Sequence, residues 1–250
     1  MYIVRRQVNL VALTYFIHSE RCILIQVLVV EDNPKLCEII QFYLTQDNQY
    51  QCTLVNSAEE AVRLVNIRKF DIILLDILLP KMNGMEFCEN VRKSLYCPII
   101  FISCLNDEDT IIKAIQMGGD DYIVKPFTAK LLLAHIEANL RRCKRYDDKV
   151  DILKEKDLEL NFDNQSAYKN GNKLFLSPTE FELLAILMQN KGVILPFEDL
   201  YTRIWQQPSL SDIRTLFVHV SNLRKKIEDD PANPEYIHTH QRRGYIFSIK

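Results

Sequence analysis

The sequence predicts two domains of different class: a doubly wound α/β domain built on a five-stranded parallel sheet, then a smaller α+β domain. Three observations carry this. The 250 residues are enough for two domains that each bury a core. From Leu24 to about Cys143 short apolar runs alternate with amphipathic stretches, the pattern of strands and helices wound on a parallel sheet. Beyond a polar stretch that ends near Lys156, the texture changes to alternating runs, a hairpin signal and helices bounded by capping residues. The expected boundaries are 1–23 for an N-terminal extension, 24–143 for the α/β domain, 144–156 for a linker and 157–250 for the second domain.

In the N-terminal extension, Arg5 and Arg6 followed by the mostly apolar Val8 to Ile17 imitate the charged and hydrophobic parts of a secretion signal. The apolar run is too short to span a membrane. The polar, bulky His18-Ser19-Glu20-Arg21 offers no small-residue cleavage site, so an extra segment or an upstream-assigned start codon is expected instead. In the first domain, strands are predicted at 24–30, 50–55, 71–76, 98–103 and 121–124, and helices at 34–46, 57–69, 84–95, 107–117 and 128–142. Pro34 suits a first helical turn, Ser57 ahead of Glu59 and Glu60 suits a cap, and Gly118-Gly119 closes a helix.

The apolar run Asp71 to Pro80 reads as a central strand buried on both faces, and it delivers Asp76 to the C-terminal rim, where ligands bind in open α/β sheets. Taken alone, such a carboxylate is equally a residue that starts a turn. Three further strands end at the same rim with Glu31 and Asp32, with Ser103, and with Lys125. Converging carboxylates repel unless a cation sits among them, and hard oxygen donors with room for water favour Mg²⁺ over zinc. Such a metal would leave Asp76 able to attack phosphorus, with Lys125 and Ser103 supplying charge and a donor for the phosphoryl oxygens. A phosphotransferase of the haloacid-dehalogenase type would want a second aspartate two residues after the first, and Leu78 stands there.

Thirty-one basic residues against 33 acidic ones give a net charge of −2, so a nucleic-acid partner has to be met by a local patch. The seven cysteines are odd in number and show no Cys-x-x-Cys spacing, which suits scattered reduced thiols in a cytoplasmic protein.

Residues 24 to about 143 resemble the flavodoxin-like receiver domain of bacterial response regulators. The resemblance rests on Glu31-Asp32, on Asp76 with Leu79-Pro80-Lys81-Met82-Asn83-Gly84, on Ser103, and on Gly119-Asp120-Asp121-Tyr122-Ile123-Val124-Lys125-Pro126-Phe127. It implies Asp76 as phosphoacceptor, Mg²⁺ held by Glu31, Asp32, Asp76 and the backbone of Leu78, and Ser103, Lys125 and Tyr122 as the phosphoryl-stabilising and switch residues. Cys104 departs from the smaller residue usual in the family and is expected to restrict access. The resemblance also implies a homodimer on phosphorylation, through a face where Ile111 and Leu131 replace an ion pair and Asp121 meets His135. Two apolar partners there would make the dimer less sensitive to salt.

In the second domain, Leu158 to Phe162 alternates like a strand and Asn170-Gly171 is a hairpin turn. Ser177-Pro178-Thr179-Glu180 is a capping box with proline at the first helical position, opening a helix that stops at Lys191-Gly192. A second helix covers Phe197 to Trp205. The helix Asp212 to Glu228 buries Ile213, Leu216, Val220, Leu223 and Ile227 as one stripe and sets Arg214, Thr215, Val218, Ser221, Asn222, Lys225 and Lys226 opposite. A hairpin around Gln241-Arg242-Arg243-Gly244 follows. From 203 to 250 eight Lys and Arg face five Asp and Glu, although a solvated polar face is the ordinary state of such a helix.

This half resembles the winged helix-turn-helix effector domain of the OmpR/PhoB subfamily from about Leu158 to Phe247. The resemblance rests on Leu176 to Phe181, Trp205, Arg214-Thr215, Val218-His219-Val220, Leu223-Arg224-Lys225-Lys226, Asp229 to Pro234 and Gly244-Tyr245. It implies a cytoplasmic transcriptional regulator, not a conventional enzyme, with a sensor histidine kinase, double-stranded promoter DNA and RNA polymerase as partners. The expected DNA-binding residues are Arg214, Thr215, Val218, His219, Ser221, Asn222, Arg224, Lys225, Lys226, Arg242 and Arg243. Val218 and Asn222 would read thymine and adenine, Arg242 and Arg243 would favour an A/T-rich minor groove, and His219, Lys225 and Lys226 would touch phosphates. Phe217 has no function assignable from the sequence.

Overall fold

The computed structural model describes residues 24–46, 48–144, 152–206, 213–240 and 243–249; the N-terminal extension and Arg242 lie outside them. The first domain runs β1 (Ile25–Val30), α1 (Pro34–Thr45), β2 (Tyr50–Val55), α2 (Ala58–Ile67), β3 (Ile72–Leu75), α3 (Gly84–Arg92), β4 (Ile99–Ser103), α4 (Glu108–Gln116), β5 (Asp121–Val124) and α5 (Ala129–Lys144). The five strands form one parallel sheet in the order β2-β1-β3-β4-β5. Continuous apolar sequence at β1, β3 and β4 follows from burial on both faces. Leu28, Val30, Ile73, Leu75, Ile99 and Phe101 meet Ala58, Ala61, Phe87 and Val91 of α2 and α3. On the other face Val27, Val29, Ile72, Leu74, Ile100 and Ile102 meet Ile40, Leu44, Leu132 and Ile136 of α1 and α5.

Helix starts follow the expected capping chemistry. The Asn33 side chain accepts from the amides of Lys35 and Leu36 ahead of Pro34, and Ser57, Asn83 and Asp107 cap the next three helices in the same way.

The second domain opens with a four-stranded antiparallel sheet, β6 (Ile152–Glu155), β7 (Leu158–Asn161), β8 (Ser166–Lys169) and β9 (Asn172–Leu174). The expected linker therefore gives up residues 152–155 to an edge strand paired with β7. Asn170 and Gly171 join β8 to β9 with φ of 50° and 77°, the two left-handed residues that a tight type I′ turn demands. Helices α6 (Pro178–Gln189), α7 (Phe197–Trp205) and α8 (Ile213–Ile227) follow, with β10 (Ile194–Pro196) between the first two. β11 (Ile237–His240) and β12 (Gly244–Phe247) complete a three-stranded sheet in the order β10-β12-β11. One core gathers Phe181, Leu184, Leu200, Trp205, Leu216, Val220, Leu223 and Phe247. Phe217 packs its ring edge-on against Phe197 at 5.0 Å, which gives it a structural place beside the wing.

The two domains touch. α4 lies along α8, and α5 packs on α6 and α7. Tyr96 of the first domain sets its ring against Phe181 of the second at 6.4 Å.

Candidate functional site

Strand register builds the rim. β1 and β3 are neighbours with Val30 level with Leu75, so Glu31 and Asp76 emerge side by side. β4 and β5 are neighbours with Ser103 level with Val124, which puts Lys125 one residue beyond the hydroxyl. The Asp76 carboxylate is 6% exposed and that of Glu31 is 3% exposed, while Asp32 stands open to solvent. Ligand oxygens of Glu31, Asp32 and Asp76 all lie within 4.8 Å of one another.

The Lys125 ammonium sits between the two buried acids, 2.7 Å from Glu31 Oε2 and 2.7 Å from Asp76 Oδ2. Burial pushes the Glu31 carboxyl above its ordinary range, against the hydrogen bond from Lys125. Burial works to lower the Lys125 amine, but the bonds to Asp76 and Glu31 outweigh it and hold the amine protonated. The other Asp76 oxygen accepts from the Leu78 amide at 3.2 Å. Gly84 is pressed against this loop, and a Cβ there would meet the Asp76 carbonyl oxygen at 2.0 Å. That close approach explains the glycine after Asn83 in the motif. The Lys125–Pro126 peptide is cis.

Ser103 is fully buried at the end of β4, and its Oγ accepts from the Leu105 amide at 3.4 Å. The Tyr122 hydroxyl donates to the Leu105 carbonyl at 2.6 Å, which ties β5 to the loop entering α4. Half-buried against Phe101, the Tyr122 phenol is pushed up to about 12, chiefly by burial. Cys104 is exposed beside this loop.

The expected dimer-face residues differ in exposure. Ile111 is buried on α4, whereas Leu131 is exposed on α5. Asp121 and His135 meet within the chain, Nδ1 to Oδ2 at 2.7 Å. Asn139 donates to the same Asp121 oxygen at 2.9 Å and accepts from Arg142. Arg142, near the end of α5, is 3% exposed; it donates to the Ile204 carbonyl at 2.9 Å and lies over the Trp205 ring. A polar chain thus runs from inside the first domain into the second.

The expected DNA-reading residues are also divided. Ser221, Lys225 and Arg243 are exposed. Arg224 braces the wing instead of facing outward, donating to the Ile237 carbonyl at 2.7 Å and to Thr239 at 3.0 Å. Lys226 pairs with the capping carboxylate of Glu180, and Arg214 with Glu108 of α4 at 2.6 Å. Thr215 and Val218 are buried, Asn222 is 7% exposed and donates to the Ile115 carbonyl at 3.1 Å, and His219 is 1% exposed. A phosphate contact from His219 is thus closed off in this arrangement. Burial beside Trp205 lowers its imidazole to about 4.

Sequence reasoning passed over Asp120. This wholly buried carboxylate takes hydrogen bonds from Arg92 at 2.8 Å, from the Ile99 amide at 3.0 Å and from the Thr179 amide of the second domain at 3.0 Å. Burial opposes its charge, but Arg92 and the two amides more than compensate and keep its pKa low. Its partner Thr179 lies 59 residues away, so only the capping box hinted that a helix end needed satisfying here.

Comparison with known proteins agrees with this geometry. The family described as response regulator receiver domain matches residues 27–137, and that described as transcriptional regulatory protein, C terminal, matches residues 171–247. A two-component response regulator from Clostridium difficile is 30% identical, with 47% of this chain and 97% of that chain covered and a TM-score of 0.46. DrrB of Thermotoga maritima, an OmpR/PhoB homologue, is 27% identical over 90% of this chain and all of its own, with a TM-score of 0.48. A RitR mutant shares the fold of both domains, with a TM-score of 0.76 at 24% identity over 90% of this chain and all of its own. Among the described residues no helix is long and apolar enough to cross a membrane.

Proposed function

Because the chain belongs to the response regulators that join a receiver domain to an OmpR/PhoB-type DNA-binding domain, and is thereby a phosphorylation-controlled transcription regulator, we propose that Asp76 is the residue that takes the phosphoryl group. The observation that carries this is the Lys125 ammonium shared between Asp76 and Glu31 at 2.7 Å each, on the rim where Ser103 also ends.

An Asp76 carboxylate oxygen attacks phosphorus on a phosphohistidine of a partner kinase. The O–P bond forms as the P–N bond breaks, and the histidine keeps the bonding pair and takes a proton from solvent. Lys125 stays protonated and meets the phosphoryl oxygens, while Ser103 offers its hydroxyl. The Glu31, Asp32 and Asp76 oxygens, with the backbone of Leu78, suit a hard divalent cation, and three acids against one lysine leave negative charge for it to balance. Bound there, Mg²⁺ would neutralise phosphoryl oxygens.

Downstream, the receiver and effector domains imply a kinase and DNA as partners. The finer reading is a cytoplasmic regulator that binds A/T-leaning tandem half-sites of promoter DNA as a phosphorylated homodimer and engages RNA polymerase. Incubation with acetyl phosphate and Mg²⁺ tests the site. Intact-mass measurement should show one phosphoryl added to wild type and none to Asp76→Asn; a label of undiminished size on Asp76→Ala would move the site elsewhere.

A further inference from the structure

Among the described residues of α8, Phe217 is the one large apolar side chain left in the open, 38% exposed, while Leu216, Val220, Leu223 and Ile227 take the core. Its ring is held in place from behind. Phe217 meets Phe197 edge-on at 5.0 Å, Phe197 meets Tyr245 at 5.0 Å, and the Arg224 guanidinium lies over the Tyr245 ring at 5.6 Å. Three packed rings and a cation thus fix the direction in which the outer edge of Phe217 points. Spacings of four along α8 put Ser221 and then Lys225 on the same side, and both are exposed. Val218 and Asn222 turn elsewhere, the first buried and the second bonded to the Ile115 carbonyl at 3.1 Å. Arg214 lies one turn before Phe217, and Arg243 stands exposed on the wing. An apolar ring in a solvated, cationic stripe suits a polyanion that also presents an apolar group. The major groove of DNA presents one, the C5 methyl of thymine, which 5-methylcytosine shares. The other groups by which bases are told apart there are donors and acceptors, and a ring laid on them would leave them without partners.

We infer that Phe217 is a methyl reader: its ring packs on a pyrimidine C5 methyl in the major groove, so that the protein distinguishes thymine or 5-methylcytosine from bare cytosine at one position of each half-site. This rests on the reading of α8 as the helix that enters the groove. Because Phe197 and Tyr245 already hold the ring, little side-chain freedom is lost when the contact forms. Hydrogen bonds contribute nothing at this position; the discrimination is made by shape and by the removal of one methyl group from water.

Deleting single methyl groups from the DNA tests this. Full-length protein treated with acetyl phosphate and Mg²⁺ selects sites from a random-sequence duplex pool. The selected duplexes are then remade with deoxyuridine in place of one thymine at a time, a change that removes only the methyl. Wild type should lose about fourfold in affinity at one thymine per half-site, the worth of one buried methyl. With cytosine at that position, methylation at C5 should restore affinity by a similar factor. Phe217→Ser should bind the thymine and deoxyuridine duplexes alike, Phe217→Leu should keep part of the difference, and Ser221→Ala should keep all of it. Each ratio compares two duplexes on one protein sample, so a smaller folded fraction in a variant cancels. Enriched sites that are indifferent to every methyl, or a fourfold difference that survives Phe217→Ser, overturns the methyl reader. So does a Phe217→Ser variant that binds every duplex as wild type does and fails only in transcription by RNA polymerase, which makes the ring a protein contact. A pool from which no sequence is enriched overturns α8 as the reading helix along with it.

Discussion

His219 is held neutral by its surroundings where the two domains touch. Its ring is buried and lies against Trp205; around it, Asp120 and Asp121 favour its protonation, the first also through its backbone, and Arg142 opposes it. Burial dominates and the imidazole titrates near pH 4 in place of its ordinary 6.5. A form with the domains apart and the ring in water takes up a proton that the docked form refuses. Docking is therefore fully favoured above about pH 6.5 and loses ground as pH falls from there toward 4. His135 behaves oppositely. Although burial works against its charge, Asp121 raises its pKa, so the receiver gains stability below the ordinary histidine range and loses it as pH rises past the raised value. The protection of α8 amides, taken as their exchange rate relative to an unstructured peptide at the same pH, should thus weaken between about pH 7 and pH 5 while the receiver stays folded, and His219→Leu should flatten that dependence. The sequence could not show this, because helical spacing put His219 beside the outward stripe and nothing local marked the wall that meets it.

At the scale of elements, caps carry a measurable share of stability. Ser177 accepts from the Glu180 amide at 3.4 Å and its own amide donates to Glu180 Oε2 at 2.7 Å, in a site buried on all sides. Ser177→Ala should lower the unfolding free energy of the effector domain by about 1 kcal/mol, read from a urea midpoint. Glu180→Ala should cost more, since Lys226 then loses its partner as well. These caps, the five parallel strands and the stripe from Leu216 to Ile227 were legible because each depends on neighbours in sequence. The rim was legible for a related reason: strands of one parallel sheet end at one edge, so the acids, Ser103 and Lys125 had to converge. β6 was hidden because Ile152-Leu153-Lys154-Glu155 has too little alternation to stand out from a polar linker, and only pairing with β7 orders it. The burial of Arg142 was not legible because charged helix ends are usually solvated; the carbonyl that it meets lies 62 residues away.

At the scale of the whole molecule, the single tryptophan of the chain lies where the domains meet. Trp205 is 2% exposed, roofed by the Arg142 guanidinium at 5.7 Å, stacked on Tyr201 at 4.7 Å and flanked by His219 at 5.7 Å. Separation of the domains removes the cation and admits water to an indole now shielded from it. The protein therefore carries an optical gauge of its own state. Its intrinsic emission should shift to longer wavelength when acetyl phosphate is added, with no dye, tag or operator sequence required. Colour alone would then time the journey of a signal from the aspartate to the helix.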